Sequence, residues 1–174
     1  SAPASKTHTR RAAGSTLPTF KPMPDQMTTR DDALQRASRI KLMIFDVDGV
    51  LTDGALYFNH EGEEFKVFNS LDGHGMRMLR ESGVRLAIIT GRKAPCVEWR
   101  MKNLRIDLLL QGVDNKLAAL KGLLEELGLT PEEAGFMGDD VIDLQVMDHC
   151  GFSAAPANAH ALAKQYARLV TERT

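Results

Sequence analysis

"IKLMIFDVDGV", residues 40 to 50, carries a nearly unbroken run of large and β-branched side chains straight into two acids and a glycine. A run so short and so apolar, ended by turn residues, reads as a strand over 40 to 45 that is buried on both faces. Asp46 and Asp48 then stand where the chain leaves a hydrophobic core. Similar runs recur at "VRLAIIT" (84 to 90), "IDLLL" (106 to 110), "GFMG" (135 to 138) and "GFSAA" (151 to 155), separated by helix-length segments. That alternation predicts an α/β fold, a doubly wound parallel sheet of Rossmann-like type with helices on both faces. In such sheets ligands bind at the carboxyl ends of the strands, where both acids lie.

The helical segments agree with this reading. "RDDALQRAS" has the pattern of a short helix, and Leu117, Leu120, Leu124 and Leu127 form one apolar stripe on a helix that begins near Asp114 and ends at Gly128. "TPEE" (130 to 133) offers Thr130 as N-cap, Pro131 at the first helical position and Glu133 as reciprocal partner. One segment breaks the alternation. "ALYFNHEGEEFKVF" (55 to 68) has apolar residues at alternate positions on either side of "NHEG", which predicts an inserted β-hairpin. Four of the nine Phe and Tyr residues (Tyr57, Phe58, Phe65, Phe68) fall in it, more than one core-facing side of a small ribbon needs. A two-stranded ribbon with both faces apolar is not stable alone in water, so this one is expected to bury itself between subunits.

A chain of 174 residues, 43% hydrophobic and 26% charged, has the length of one domain with a real core, and none of its apolar stretches is long enough to span a membrane. Residues 29 to 174 are read as that single domain, and 1 to 28, rich in Ser, Thr, Ala and Pro, as a flexible or partner-pinned tail in which Met23 and Met27 are candidate natural starts. A net charge of −1 without a Lys/Arg cluster argues against nucleic acid, and no apolar segment of signal-peptide kind is present. Cys96 and Cys150 lack metal spacing and read as reduced thiols. A cytoplasmic location is the expectation.

"DVDG" alone is an ordinary Asp/Gly turn. It is not an EF-hand loop, because counting from Asp46 the fifth, sixth and twelfth positions hold Val50, Leu51 and Tyr57. Other strands also end in functional groups, however: "IITGR" delivers Thr90 and Arg92, "FMGDDVID" delivers Asp139, Asp140 and Asp143, and Lys116 lies at a helix start. Carboxylates forced together repel unless a cation intervenes, and magnesium suits the task because it takes oxygen ligands and keeps open positions for a phosphate. Asp46 and Asp139 are the expected ligands. Lys116 would supply positive charge and Thr90 a hydroxyl donor to a phosphoryl oxygen, a constellation for phosphoryl transfer.

"DVDGVLTDG", "IITGR", Lys116 and "MGDDVIDL" resemble the four ordered motifs of the haloacid dehalogenase superfamily of phosphatases, over about residues 40 to 171. "LYFNHEGEEFKVFNSLDGHGM" followed by "GR" resembles, more narrowly, the cap-less branch that hydrolyses 3-deoxy-D-manno-octulosonate 8-phosphate for lipopolysaccharide synthesis and assembles as tetramers. The resemblance implies that Asp46 is the nucleophile, Asp48 the acid and base, and Thr90 and Lys116 the holders of the phosphoryl group. It places magnesium on the Asp46 and Asp139 carboxylates and the Asp48 carbonyl, with Asp143 in an outer or water-mediated position. Asp140 is either a further outer partner or a helix N-terminal charge. Arg92, beside Gly91, either pairs with a substrate carboxylate or phosphate or bridges surface acids. Asp72, Gly73 and the neighbouring backbone N–H groups of "SLDGHGM" (70 to 76) would meet the sugar acid, with His74 as contact or plain loop residue. No large cap fits between Gly49 and Asp72, so neighbouring chains are expected to complete the pocket. The given sequence stops at "LVTERT" where the family usually continues into a Gly-rich tail.

Three alternatives remain at this level. A 9-carbon sugar-acid 9-phosphate is a rival substrate, because related cap-less enzymes share the hairpin. A phosphoacceptor receiver domain also combines Asp, Thr and Lys, but it needs an acceptor Asp after the third strand, where "IDLLLQG" has none. A catalytically idle tetramerisation module fits poorly with a full set of candidate catalytic side chains.

Overall fold

The run ending at Phe45 lies at the centre of a six-stranded sheet in the computed structural model, which describes residues 30–174. The expected tail, 1 to 28, falls outside the described residues. In chain order the elements are α1 (Arg30–Ala37), β1 (Leu42–Phe45), β2 (Tyr57–Phe58), β3 (Glu64–Phe65), α2 (Ser70–Glu81), β4 (Arg85–Ile89), α3 (Pro95–Leu104), β5 (Leu108–Leu110), α4 (Lys116–Leu127), β6 (Ala134–Met137), α5 (Leu144–His149), β7 (Phe152–Ala155), α6 (Ala161–Tyr166) and β8 (Leu169–Val170). Single 3-10 turns at Pro131–Glu133 and Val141–Asp143 lead into β6 and α5. The sheet order is β5-β4-β1-β6-β7-β8, every pair parallel. Among the described residues no helix is long and apolar enough to cross a membrane.

All four residues of β1 are buried because the sheet is covered on both sides. Met43 and Phe45 face one core with Leu86, Ile88, Met76, Val97 and Met101, under α2 and α3. Leu42 and Ile44 face the other with Ala87, Ile89, Phe136, Leu120, Leu124 and Met147, under α4 and α5. The stripe expected on α4 is there, with Leu120 and Leu124 buried, Leu117 and Leu127 packed at its margin, and Leu123 joining it. Asn115 caps this helix by accepting from the Ala118 N–H, and Gly128 ends it at φ 64°, a backbone geometry that suits glycine. Thr130 and Glu133 form the expected capping box, on a 3-10 turn. Both cysteines are free thiols.

Three differences from the sequence reading have physical causes. "IDLLL" contributes only Leu108–Leu110 to β5, because Arg105 ends α3 in the left-handed region and the Ile106 N–H is taken by the Met101 carbonyl. The strand β8 and the helix α6, absent from the sequence reading, are too short to show a period. The hairpin is present, but its antiparallel ladder holds only Tyr57 opposite Phe65 and Phe58 opposite Glu64. No large cap interrupts the crossover from β1 to β4.

Ile44, fully buried between β4 and β6, tests the core directly. Ile44→Ala is expected to lower the free energy of unfolding in urea by about 2–5 kcal/mol. Leu34→Ala, at a 56% exposed position, should change it by less than about 0.5 kcal/mol.

Candidate active site

Four chain segments end at the carboxyl edge of the sheet and line one cleft of about 230 Å³, bounded by Asp46, Asp48, Thr90, Arg92, Lys116 and Asp139, with Gly54, Gly91, Asp140 and Ile142 around them. Asp46 follows β1 directly, and its N–H continues the ladder to the Met137 carbonyl. Its Oδ1 accepts from the Val47 N–H at 2.7 Å, and its Oδ2 lies 2.7 Å from the Lys116 Nζ. Thr90 follows β4 and is buried, its backbone tied to Leu110 and Val113. Lys116, the first residue of α4, is buried as well and lies with its ammonium 6.0 Å from the centre of the Phe136 ring.

Lys116 also donates to Asp143 Oδ1 at 2.7 Å, while Asp143 Oδ2 accepts the N–H groups of Asp139 and Asp140. A fully buried carboxylate is thereby satisfied on both oxygens, which fixes the loop that carries Asp139. Two glycines make this approach possible. A Cβ on Gly49, which has φ +83°, would collide with the Asp139 carboxylate, and one on Gly138 would sit 2.5 Å from the Asp143 Cβ.

Donor oxygens of Asp46, Asp139 and Asp143 all lie within 4.8 Å of one another. The electrostatic cost appears in their ionisation. Burial, followed by the Asp143, Asp46 and Asp140 charges, raises the Asp139 pKa from 3.8 to about 7. Burial raises that of Asp46 to about 6 against the opposing pull of Lys116. Burial alone would lower the Lys116 pKa, but Asp46 and Asp143 outweigh it and hold the ammonium above its ordinary value. Three carboxylates against one ammonium is a donor set that fits a hard divalent cation: among the described residues Asp139 has no hydrogen-bond donor, Asp46 has one on each oxygen, and Asp143, with three, is the most fully satisfied.

The remaining expected residues fall in different places. The Asp48 carboxylate meets Lys66 Nζ at 2.5 Å. Arg92 lines the cleft but is paired bidentately with Glu64, at 3.0 and 3.3 Å. Asp140 is an exposed cap, accepting from the Val141 N–H at 2.7 Å. Asp72 and Gly73 are not gathered into this cleft. Asp72 borders a separate cavity of about 450 Å³ with Leu51, Asp53, Phe68 and Thr174. Of the backbone N–H groups in this stretch, that of Leu71 is taken by the Asn69 side chain and that of Gly73 by the Asn69 carbonyl. Sequence reasoning missed Glu64 and Lys66, although charges alternating with Phe65 and Val67 were the available signal.

A family model described as haloacid dehalogenase-like hydrolase matches residues 99–174. The 3-deoxy-D-manno-octulosonate 8-phosphate phosphatase KdsC of Escherichia coli (strain K12) is 49% identical over 140 residues, covering 80% of this chain and 74% of that protein. The crystal structure of the 3-deoxy-D-manno-octulosonate 8-phosphate phosphatase from Yersinia pestis superposes with a TM-score of 0.80 at 47% identity, covering 82% of this chain and 77% of that one. The enzyme of that name from Moraxella catarrhalis, crystallised with a magnesium ion, a phosphate ion and a KDO molecule, superposes with a TM-score of 0.80 at 39% identity and covers 83% of each chain.

Magnesium held by the Asp46 and Asp139 carboxylates would require both to be ionised, so its binding would expel their protons. Both folded-state values are raised, so ionisation disfavours the metal-free fold as pH climbs from about 4 to 7, and binding should offset that loss. Calorimetric titration across pH 5.5 to 8 is expected to show affinity falling roughly tenfold per unit between pH 7 and 6, and more steeply below 6. Affinity independent of pH would contradict the assignment.

Proposed function

The chain belongs to the 3-deoxy-D-manno-octulosonate 8-phosphate phosphatase family of haloacid dehalogenase-like hydrolases, and from that membership we propose that it hydrolyses this sugar-acid phosphate, with magnesium, to the free sugar acid and phosphate in lipopolysaccharide synthesis. The observation that carries the reading to particular residues is the meeting of Asp46, Asp139, Asp143 and Lys116 at the edge of the sheet. Asp46 attacks phosphorus through a carboxylate oxygen, the bond from phosphorus to the sugar oxygen breaks, and an aspartyl-phosphate forms. Asp48 gives its proton to the departing sugar oxygen and then takes one from the water that attacks phosphorus, returning Asp46 and releasing phosphate. Magnesium would be held by the Asp46 and Asp139 carboxylates and the Asp48 carbonyl, and would supply neutralisation of the phosphoryl charge.

Lys116 holds the Asp46 carboxylate and presents its charge to the phosphoryl oxygens, while Thr90 and the Gly91 backbone border the place where those oxygens sit. Asp143 keeps Lys116 and the Asp139 loop in register, as an outer partner of the metal. Asp140 closes the turn that precedes α5. Arg92 stands at the cleft mouth, paired with Glu64 through Nε and Nη2, and its Nη1 would give it a role in recognising a substrate carboxylate. Residues 29–174 act as one catalytic unit in this reading, and the site is cytoplasmic.

The hairpin leaves Leu56, Phe58, Phe65 and Val67 about half exposed on a ribbon with only two paired residues per strand. A homotetramer built through residues 55–68 would cover them and would bring Asp72 and its neighbours to an adjoining active site.

Two outcomes test these readings. With magnesium, phosphate release should favour the 8-carbon over the 9-carbon sugar-acid phosphate in kcat/KM, and Asp46→Asn should abolish turnover by at least about 1000-fold. Phe58→Ser with Phe65→Ser is expected to shift the sedimentation mass from tetramer toward monomer, whereas an unchanged mass would remove the hairpin from the interface.

A further inference from the structure

The four motifs leave two charged hairpin residues without a task. Glu64 lies on β3 and Lys66 two positions on, meeting Arg92 and Asp48 of the cleft wall respectively, while Phe65 and Val67 between and beyond them are 48% and 58% exposed. The ammonium of Lys66 is held between two carboxylates, 2.5 Å from Asp48 Oδ1 and 2.5 Å from Glu64 Oε1. Its side chain is 2% exposed, so the pair is not the loosely solvated kind that contributes little. Glu64 is gripped from its far side by Arg92, whose Nε lies 4.0 Å from Asp48 Oδ2. Among the described residues Lys66 is the one hydrogen-bond donor to the Asp48 carboxylate.

A lysine is a point charge on a flexible stem and holds a direction only when its own end is fixed. Glu64 does that fixing, and Arg92 fixes Glu64. We propose that Lys66, anchored by Glu64 and Arg92, is a positioning residue that sets the orientation of the Asp48 carboxyl group at the cleft. The inference rests on the assignment of Asp48 as acid and base. It gives the hairpin a part in the chemistry, since one strand directs Lys66 to Asp48 and leaves Phe65 and Val67 exposed. Orientation matters because a general acid must stand within hydrogen-bond reach of the departing oxygen, and a displacement of about 1 Å can cost about 100-fold.

The test compares kcat/KM, which reports the steps up to departure of the leaving group, for the sugar phosphate and for 4-nitrophenyl phosphate, whose weakly basic leaving oxygen needs no proton. Wild type, Lys66→Met, Asp48→Asn and the double variant form the cycle. Lys66→Met is expected to lose about 10- to 100-fold on the sugar phosphate, under about 3-fold on the aryl phosphate, and nothing further in the Asp48→Asn background. Lys66→Gln, which keeps a donor without the charge, should fall between wild type and Lys66→Met. Equal losses on the two substrates, or an undiminished loss in the Asp48→Asn background, would assign Lys66 to folding or binding and overturn the proposal. If Asp48→Asn itself fails to distinguish the two substrates, the acid assignment falls and takes the proposal with it. If Asp48→Asn distinguishes them and Lys66→Met does not, the proposal alone fails.

Discussion

A single buried ammonium, Lys116, is shared at 2.7 Å by the buried carboxylates of Asp46 and Asp143, and the rest of the site is arranged around that contact. Burying charges costs more than their attraction returns unless the partners are close and their remaining valences are filled. Here Asp143 fills its own with two backbone N–H groups, so Lys116 is firmly seated. Asp139 is left as the carboxylate without an equivalent, and burial, with the Asp143, Asp46 and Asp140 charges beside it, raises its pKa to about 7. A divalent cation would supply the missing positive charge.

The parallel sheet explains why these groups meet. Residues that leave β1, β4 and β6 in the same direction arrive at one edge because β1 pairs in parallel with both other strands, and Lys116 joins them from the first turn of α4. The sheet brings the segments near one another, and the glycines set the final separation, because neither Asp139 nor Asp143 could come so close past a Cβ at positions 49 or 138. Opposite them the hairpin occupies the place where a cap domain would begin. Its Lys66 touches Asp48, and its Phe58 and Phe65 side chains are about half exposed.

Much of this was legible in the residues. The buried strand ending at Asp46, the stripe on α4, the Thr130 capping box and the hairpin all follow from periods and caps that local chemistry enforces. Asp46, Thr90, Lys116 and Asp139 could be read together because each closes a strand or opens a helix. Less legible were contacts made across long sequence separations. Lys66 reaches Asp48 over 18 residues and Lys116 reaches Asp143 over 27, and no period in the sequence encodes either. Asp72 shows the converse, since a motif-like neighbourhood placed it with the substrate, whereas within one chain it borders a different cavity. The two-residue strand β8 was invisible because its pairing with β7 is decided by the sheet edge and not by its own composition.

Family membership fixes the reaction, and the geometry divides the labour among the side chains. In the proposed mechanism Asp46 and Asp139 would serve the cation and phosphorus, Lys116 and Asp143 would keep that pair in place, and Asp48 would move protons beside Lys66 of the hairpin. The most direct check on the shared-cation site is calorimetric titration of magnesium into the wild-type chain and Asp139→Asn at pH 8. The expected result is one ion per wild-type chain and a loss of affinity of at least about tenfold in the variant, with its unfolding midpoint preserved. Equal affinity in both proteins would contradict the placement of the cation between Asp46 and Asp139.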